Sequence, residues 1–193
     1  MTLSLSKDFQ RGSSLIEVLV TMLIFAIGLL GFAALQNRAQ RSELEAYQRV
    51  EAIHAVDWLA AQIRSNRSAA GCYGLVGTTF VGTGYDTTYS CSDYGTAETQ
   101  AQVAADVNAW DDMLKGSSET LGGTATGGLI NARGCITYDG VDTLEITLVW
   151  QGLVETTSIE GLTTCAEDQF GDFADNYTLR FMTYSILLAD FES

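Results

Sequence analysis

The order of apolar and polar residues divides the chain into a short apolar stretch and a longer mixed one. After a polar leader ending in Arg11-Gly12, the 18 residues from Val18 to Leu35 carry no charge. At about 1.5 Å per helical residue the stretch is roughly 27 Å long, close to the hydrocarbon thickness of a bilayer. We therefore predict one membrane-spanning helix over residues 13–35. It is longer than the apolar core of a cleaved signal peptide.

The helix is predicted to continue through residues 36–67, where Gln36 to Arg67 contains neither Pro nor Gly. In this half the apolar positions narrow to a stripe at helical spacing, so that one face should be buried. The stripe comprises Ala46, Val50, Ile53, Ala60 and Ile63, with Tyr47 and Leu59 alongside. Ser, Asn and Gly residues from position 65 onwards predict that the helix ends near Arg67.

Residues 68–193 combine helical and strand patterns and are predicted to form one globular domain. Apolar spacing predicts a helix over 97–114, Asp139-Gly140 predicts a β-hairpin with a tight turn, and strands are expected over 142–151 and 177–188. The alternation in 142–151 gives a face that should lie on the long helix. That face is Leu144, Ile146, Leu148 and Trp150. The antiparallel strands make the fold class α+β.

Three loop regions separate these elements. Residues 71–96, dense in Gly, Ser, Thr and Tyr, predict an irregular surface loop with a candidate short strand near residues 75–81. The tyrosines of this loop either face a partner or pack on the domain. Residues 115–128 predict a flexible connection. Residues 156–176 hold an acidic run that we interpret as solvated, with a calcium site as the alternative. The run is Glu167, Asp168, Asp172 and Asp175.

The cysteines favour disulfides over a metal site. All four follow the apolar stretch, and an even number on the exported side of a membrane predicts two bridges. Zinc is the competing interpretation, but the spacing lacks the close pairs that zinc sites use. Of the three pairings we favour Cys72 with Cys91 and Cys135 with Cys165, because neighbours in sequence close their loops most easily.

Charge and side-chain chemistry exclude several functions. The 193 residues carry a net charge of −14, which repels phosphate backbones and argues against binding to nucleic acid. The single histidine, His54, falls in the long helix without an organised nucleophile or carboxylate. Asp106, Asp111 and Asp112 lack the spacing of a calcium loop and are interpreted as a solvated face. We expect no catalytic residue, no cofactor and no metal.

Glu17 is a carboxylate at the entrance of the apolar stretch. Such a charge costs about 3 kcal/mol at the centre of a membrane helix and less near its edge. One interpretation is a Glu tolerated at the headgroup boundary of an ordinary signal anchor. However, Glu17 lies five residues after Gly12, and about twenty apolar residues follow it. This arrangement resembles the type IV pilin family in its leader and first helix, over roughly residues 7–66.

The resemblance implies a specific set of events at the leader. A prepilin peptidase would cut between Gly12 and Ser13 and methylate the new Ser13 amine, where the major pilins usually carry Phe. Glu17 would then be the fifth residue of the mature chain and would pair with the terminal ammonium of a neighbouring subunit. The leader would be residues 1–12, and the long helix would pack on a small antiparallel sheet.

The resemblance also implies a location and partners. Lys7 and Arg11 favour a cytoplasmic N-terminus in the inner membrane, with the globular domain in the periplasm and later in a cell-surface pilus. The implied partners are other minor and major pilins, the prepilin peptidase and the inner-membrane assembly machinery of the pilus.

The second half of the chain is similar to the PilV group of minor pilins. The similarity lies in the order of Cys135, the strand at 144–152, Cys165 and the segment 176–180. It implies a low-abundance subunit that helps to prime pilus assembly and is a candidate for a tip complex with an adhesin. Two alternatives remain: a pseudopilin of a type II secretion system, and a membrane-anchored binding module that uses its Tyr-rich loop.

Overall fold

The structure is a computed structural model that describes most of the chain. The described residues are 15–74, 80–85, 89–117, 120–121, 124–125, 127–173 and 175–188. The chain comprises two compact units, residues 1–42 and 43–193. A single helix, α1 (Leu15–Ser65), supplies all of the described part of the first unit and the beginning of the second.

The second unit contains two further helices and a four-stranded antiparallel sheet, which confirms the α+β class. The helices are α2 (Ala70–Gly74) and α3 (Ala97–Lys115), preceded by a 3₁₀ turn at Arg67–Ala69. The sheet has the order β1 (Val81–Gly82), β4 (Arg133–Tyr138), β5 (Thr143–Gln151) and β6 (Leu179–Leu187). Two short strands, β2 (Thr120–Leu121) and β3 (Thr124–Ala125), pair with each other.

The sheet is covered on both faces. Leu144, Ile146, Leu148 and Trp150 share one core with α1 and α3, as their alternation in β5 predicts. On this side the Trp110 ring lies against Gly134, where a Cβ would collide with it. The other face of the sheet carries a second core. Its members are Cys135, Val149, Ile159, Cys165, Phe173 and Leu179.

The buried face of α1 in the second unit differs from the predicted stripe. Leu59, Ala60 and Ile63 are buried as expected, but the earlier apolar positions of the stripe are exposed. The exposed positions are Ala46, Val50 and Ile53. In this part of the helix the residues of an adjacent face are buried instead, among them two polar ones. The buried set is Glu45, Gln48, Ala52, Ala55, Val56, Leu59, Ala60 and Ile63.

The predicted loops hold more structure than expected. Within 71–96, α2 is buried and β1 pairs with β4, so this region is not simply an irregular surface loop. The connection at 115–128 contains β2 and β3 rather than an unstructured linker. A suggested strand near residues 75–81 falls mostly outside the described residues, which include only its last positions.

The hairpin between β4 and β5 forms at the predicted place with a different turn. Four residues separate the strands, and the Asp139 carboxylate accepts hydrogen bonds from the backbone N–H groups of Val141, Asp142 and Thr143. These bonds hold the pKa of the Asp139 carboxyl below its ordinary value. The Asp139 side chain therefore stabilises the turn by accepting hydrogen bonds that a backbone carbonyl would otherwise accept. Strand β5 begins at Thr143, one residue later than predicted.

Helix α3 begins and ends where its flanking residues favour it. At the start, Thr96 and Thr99 exchange side chain to backbone hydrogen bonds in a capping box. At the end, Gly116 adopts a left-handed conformation with φ 68°. Glycine ends a helix in this way at little steric cost because it has no Cβ. The helix extends one residue beyond its predicted end at Leu114.

Candidate assembly segment

The candidate functional site is the described part of the first unit, residues 15–42, which we call the assembly segment. Every residue in it is exposed in the isolated chain. Leu15 and Phe25, for example, are 77% and 68% exposed. Among the described residues, α1 is the one helix long and apolar enough to cross a membrane. An exposed apolar surface of this kind is typical of contact with lipid or with other protein chains.

Glu17 lies in the first turn of α1 among exposed apolar side chains. The N-terminal end of a helix carries partial positive charge, which favours an acidic side chain there. The neighbours of Glu17, Ile16 and Val18, are 67% and 45% exposed. A carboxylate in such surroundings gains most from an opposite charge on another chain. Gly12 and Ser13, where the cut is expected, lie outside the described residues.

Three residues of the assembly segment, Thr21, Gly28 and Gly31, have small side chains that project little from the helix surface. A Cβ added at Gly28 or Gly31 would meet nothing within 4 Å beyond its own neighbours in the helix. The Thr21 hydroxyl donates to the Val18 carbonyl oxygen at 2.9 Å, so that its polar atom is satisfied inside the helix. Small residues and satisfied hydroxyls permit another helix to approach closely.

A second exposed apolar surface lies on α1 in the second unit. Tyr47, Val50 and Ile53 are 53%, 52% and 44% exposed. Sequence reasoning found these residues but assigned them to the core. Apolar spacing alone cannot tell a core face from a partner-facing one. Glu45 and Gln48 are buried although they are polar, and the pattern therefore predicted that their side of the helix would be exposed.

The four cysteines form two disulfides, Cys72 with Cys91 and Cys135 with Cys165. This is the pairing favoured from the sequence. In each bridge the Cα atoms are 5.7 Å apart, which is typical of disulfides. The first bridge joins α2 to the segment before α3. The second joins β4 to the loop that covers the outer face of the sheet.

The tyrosines of 71–96 mainly pack on the domain. The Tyr73 and Tyr89 rings are buried, and their hydroxyls donate to the Asp106 carboxylate and to the Cys72 carbonyl oxygen. Tyr94 packs edge-on against Tyr138 with ring centroids 6.1 Å apart. The packing interpretation is therefore the better one for these side chains.

The buried phenols predict a loss of stability at alkaline pH. Burial raises the pKa of Tyr89 to about 12 from an ordinary 10.0, and burial and then the hydrogen bond to Asp106 raise the pKa of Tyr73. Below about pH 10 both phenols are protonated in the folded and the unfolded chain. Above it only the unfolded chain releases their protons, so the free energy of unfolding falls until the folded phenols also ionise.

We expect Tyr89 alone to account for a loss on the order of 1 kcal/mol near pH 11. Urea unfolding between about pH 8 and pH 11 measures the slope. The Tyr89→Phe variant should show a shallower decline, and an unchanged slope would show that this phenol does not carry the effect. Phenolate absorbance provides a second measure, because burial holds the pKa of Tyr89 in the folded chain above that of an exposed tyrosine.

The acidic residues take structural or exposed positions. Asp106 is buried, which contradicts its interpretation as solvated, because Tyr73 and Gln102 donate to its carboxylate at 2.5 and 2.7 Å. Asp111 accepts from the Gly82 N–H and from Lys115. Glu167, Asp172 and Asp175 are exposed. No cluster of three potential metal ligands occurs among the described residues, and His54 is exposed on α1.

One comparison with known proteins gives a match. The prokaryotic N-terminal methylation motif matches residues 7–33, which include Gly12, Glu17 and most of the apolar stretch. Neither a search of curated proteins nor a search of solved structures finds a significant match.

Fold and motif together support one class of protein. The motif is of the prepilin type, and it supports a type IV pilin-like protein. An apolar N-terminal helix whose outer half packs on a small antiparallel sheet is consistent with the pilin fold. The motif and the exposed apolar helix fit a membrane-anchored pilin that assembles with other pilins and is a substrate of the prepilin peptidase. Proteins of this type are generally structural rather than enzymatic.

Proposed function

We propose that the chain is a minor pilin of the PilV kind that helps to initiate the assembly of a type IV pilus. The observation that carries the proposal is the prepilin motif joined to a helix whose residues 15–42 are all exposed. An apolar helix of this kind needs a second environment after it leaves the membrane, and the interior of a helical filament provides one.

The proposed sequence of events begins at the leader. The prepilin peptidase removes residues 1–12 and methylates Ser13, while residues 13–35 hold the chain in the inner membrane. Residues 36–67, helical as far as Ser65, connect this segment to the globular domain, residues 68–193, in the periplasm. Two disulfides support this orientation, since such bonds form in oxidising compartments.

Assembly then depends on charge pairing and apolar contact. Glu17 pairs with the Ser13 ammonium of a neighbouring subunit, which orients the two helices and sets their register. The apolar residues of the assembly segment and the exposed surface of Tyr47, Val50 and Ile53 pack against adjacent pilins. The chain joins other minor pilins in a priming complex at the tip, where an adhesin is a further partner.

Deletion of the gene should separate this proposal from its alternatives. We expect fewer surface pili and reduced twitching motility, with normal export of secreted enzymes. Blocked export with normal pili would indicate a pseudopilin of a type II secretion system. Normal pili together with normal export would leave a membrane-anchored binding module. Complementation with the intact gene is the control for effects on neighbouring genes.

A further inference from the structure

Two arginines are buried to the same degree, but their surroundings differ. Arg180 is 8% exposed and Arg133 is 7% exposed. The Arg180 guanidinium donates to a Glu45 carboxylate oxygen at 3.3 Å and to the Thr156 hydroxyl at 2.8 Å. Three carbonyl oxygens also accept from it, those of Val154, Thr178 and Leu179. Its charge is therefore compensated within the chain.

Arg133, the first residue of β4, lacks such compensation among the side chains that the structure describes. Its Nη1 makes one weak hydrogen bond, at 3.5 Å to the Asn131 carbonyl oxygen, and its buried Nε, like that of Arg180, makes none. The ion pairs of Lys115 with Asp111 and of Arg180 with Glu45 do not involve it. A guanidinium has five N–H donors and keeps its charge when buried. A buried cation without an anion is costly to a fold.

Aromatic rings and an exposed glycine surround this guanidinium. Its central carbon lies 4.4 Å from the ring centroid of Phe170 and 5.4 Å from that of Phe80. Rings at these distances attract a cation but provide no hydrogen-bond acceptor in the plane of its N–H groups. Gly84 is exposed, and a Cβ placed on it would lie 3.9 Å from Nη2. The edge of the guanidinium that carries Nη2 therefore lies close to the surface.

We propose that Arg133, flanked by Phe80 and Phe170, is a binding site for a carboxylate group of another molecule. A carboxylate matches the paired N–H donors of a guanidinium edge in shape and charge. The net charge of −14 repels a multiply charged anion such as phosphate more strongly than a single carboxylate. Burial lowers the pKa of Arg133, and a bound anion would oppose that effect.

Acetate is the probe that tests the site. The full chain, labelled with ¹⁵N-arginine and held in a nonionic detergent, is titrated with sodium acetate against sodium chloride at equal ionic strength. We expect a saturable shift of the Arg133 Nε–H signal with acetate alone. The Arg133→Met variant identifies that signal by its loss. In Arg64→Met, which removes an exposed arginine beside the Tyr184 ring, the shift should persist.

Two substitutions at Gly84 remain informative if Arg133→Met fails to fold. Gly84 has φ 87°, so Gly84→Asp and Gly84→Asn impose similar backbone strain and have nearly the same shape. The carboxylate introduced by Gly84→Asp should occupy the site from within the chain and weaken acetate binding at least about tenfold, whereas Gly84→Asn should retain binding. No acetate shift in the original chain, or equal loss in both variants, would overturn the proposal.

A capped Ala-Glu-Ala peptide and its Ala-Gln-Ala counterpart distinguish the sources of the carboxylate. Binding of the Glu peptide at least as tightly as acetate, with no binding of the Gln peptide, assigns the site to an acidic side chain of a partner protein. Binding of acetate with exclusion of both peptides assigns it to a small solute. Equal binding of the two peptides would contradict recognition of a carboxylate.

Discussion

Replacing Gly12 by Glu is expected to leave the chain at full length with its leader attached. A protease that cuts beside Gly12 accommodates a residue without a side chain there, and Glu adds both bulk and charge at the cut. Mass spectrometry of the membrane fraction distinguishes the full-length chain from one that has lost residues 1–12. Because the effect is on processing itself, we expect no detectable mature form.

The matched control adds the same charge elsewhere in the leader. Gln10→Glu introduces a carboxylate two residues before the expected cut and should be processed normally. A mature mass from Gly12→Glu would remove the leader assignment. Failure of both variants would mean that any added acid blocks processing, and it would leave the position of the cut unassigned.

Replacing Glu45 by Ala is expected to destabilise the second unit by about 3–5 kcal/mol, because Arg180 would remain buried without its counter-charge. The same carboxylate oxygen also accepts from the N–H groups of Leu153 and Val154, at 2.5 and 3.1 Å. These groups would lose their partner too. Urea unfolding followed by tryptophan fluorescence measures the loss, since all three tryptophans lie in residues 43–193.

Two further variants show whether buried charge is the cause. Glu45→Met combined with Arg180→Met removes both charges and should recover much of the stability lost in Glu45→Ala. Lys115→Met breaks the more exposed pair with Asp111 and should cost only about 1 kcal/mol. A Glu45→Ala chain within about 1 kcal/mol of the original would show that the ion pair does not hold α1 on the sheet.

The same ion pair shows what periodicity could and could not predict. Helix α3 and the inward face of β5 followed from local spacing, because their apolar side chains are buried. On α1, the pattern placed Val50 and Ile53 inside, and they are exposed. Glu45 is buried because Arg180 reaches it from 135 residues further along the chain. A pattern read over one helix contains no information about such a partner.

Buried polar groups explain the other differences. Asp106 was predicted to be solvated because it is acidic. It is buried inside the domain, where Tyr73 and Gln102 donate hydrogen bonds to its carboxylate. The segment after β5 is acidic, but Ile159 and Phe173 anchor it over the outer face of the sheet. The assembly segment could be predicted from the sequence. A membrane requires a long apolar stretch, and the methylation motif lies within the contiguous residues 7–33.

The quantity of this chain in purified filaments decides whether Glu17 acts in assembly. Pili sheared from cells and quantified against the major subunit should contain the original chain. A Glu17→Ala chain should be processed and inserted normally but be depleted in filaments by at least about tenfold, since a pairing charge is lost. Glu43→Ala, which removes an exposed acid from the same helix, should be incorporated normally. Equal incorporation of Glu17→Ala, or absence of the original chain from the filaments, would contradict a role for this carboxylate in building the pilus.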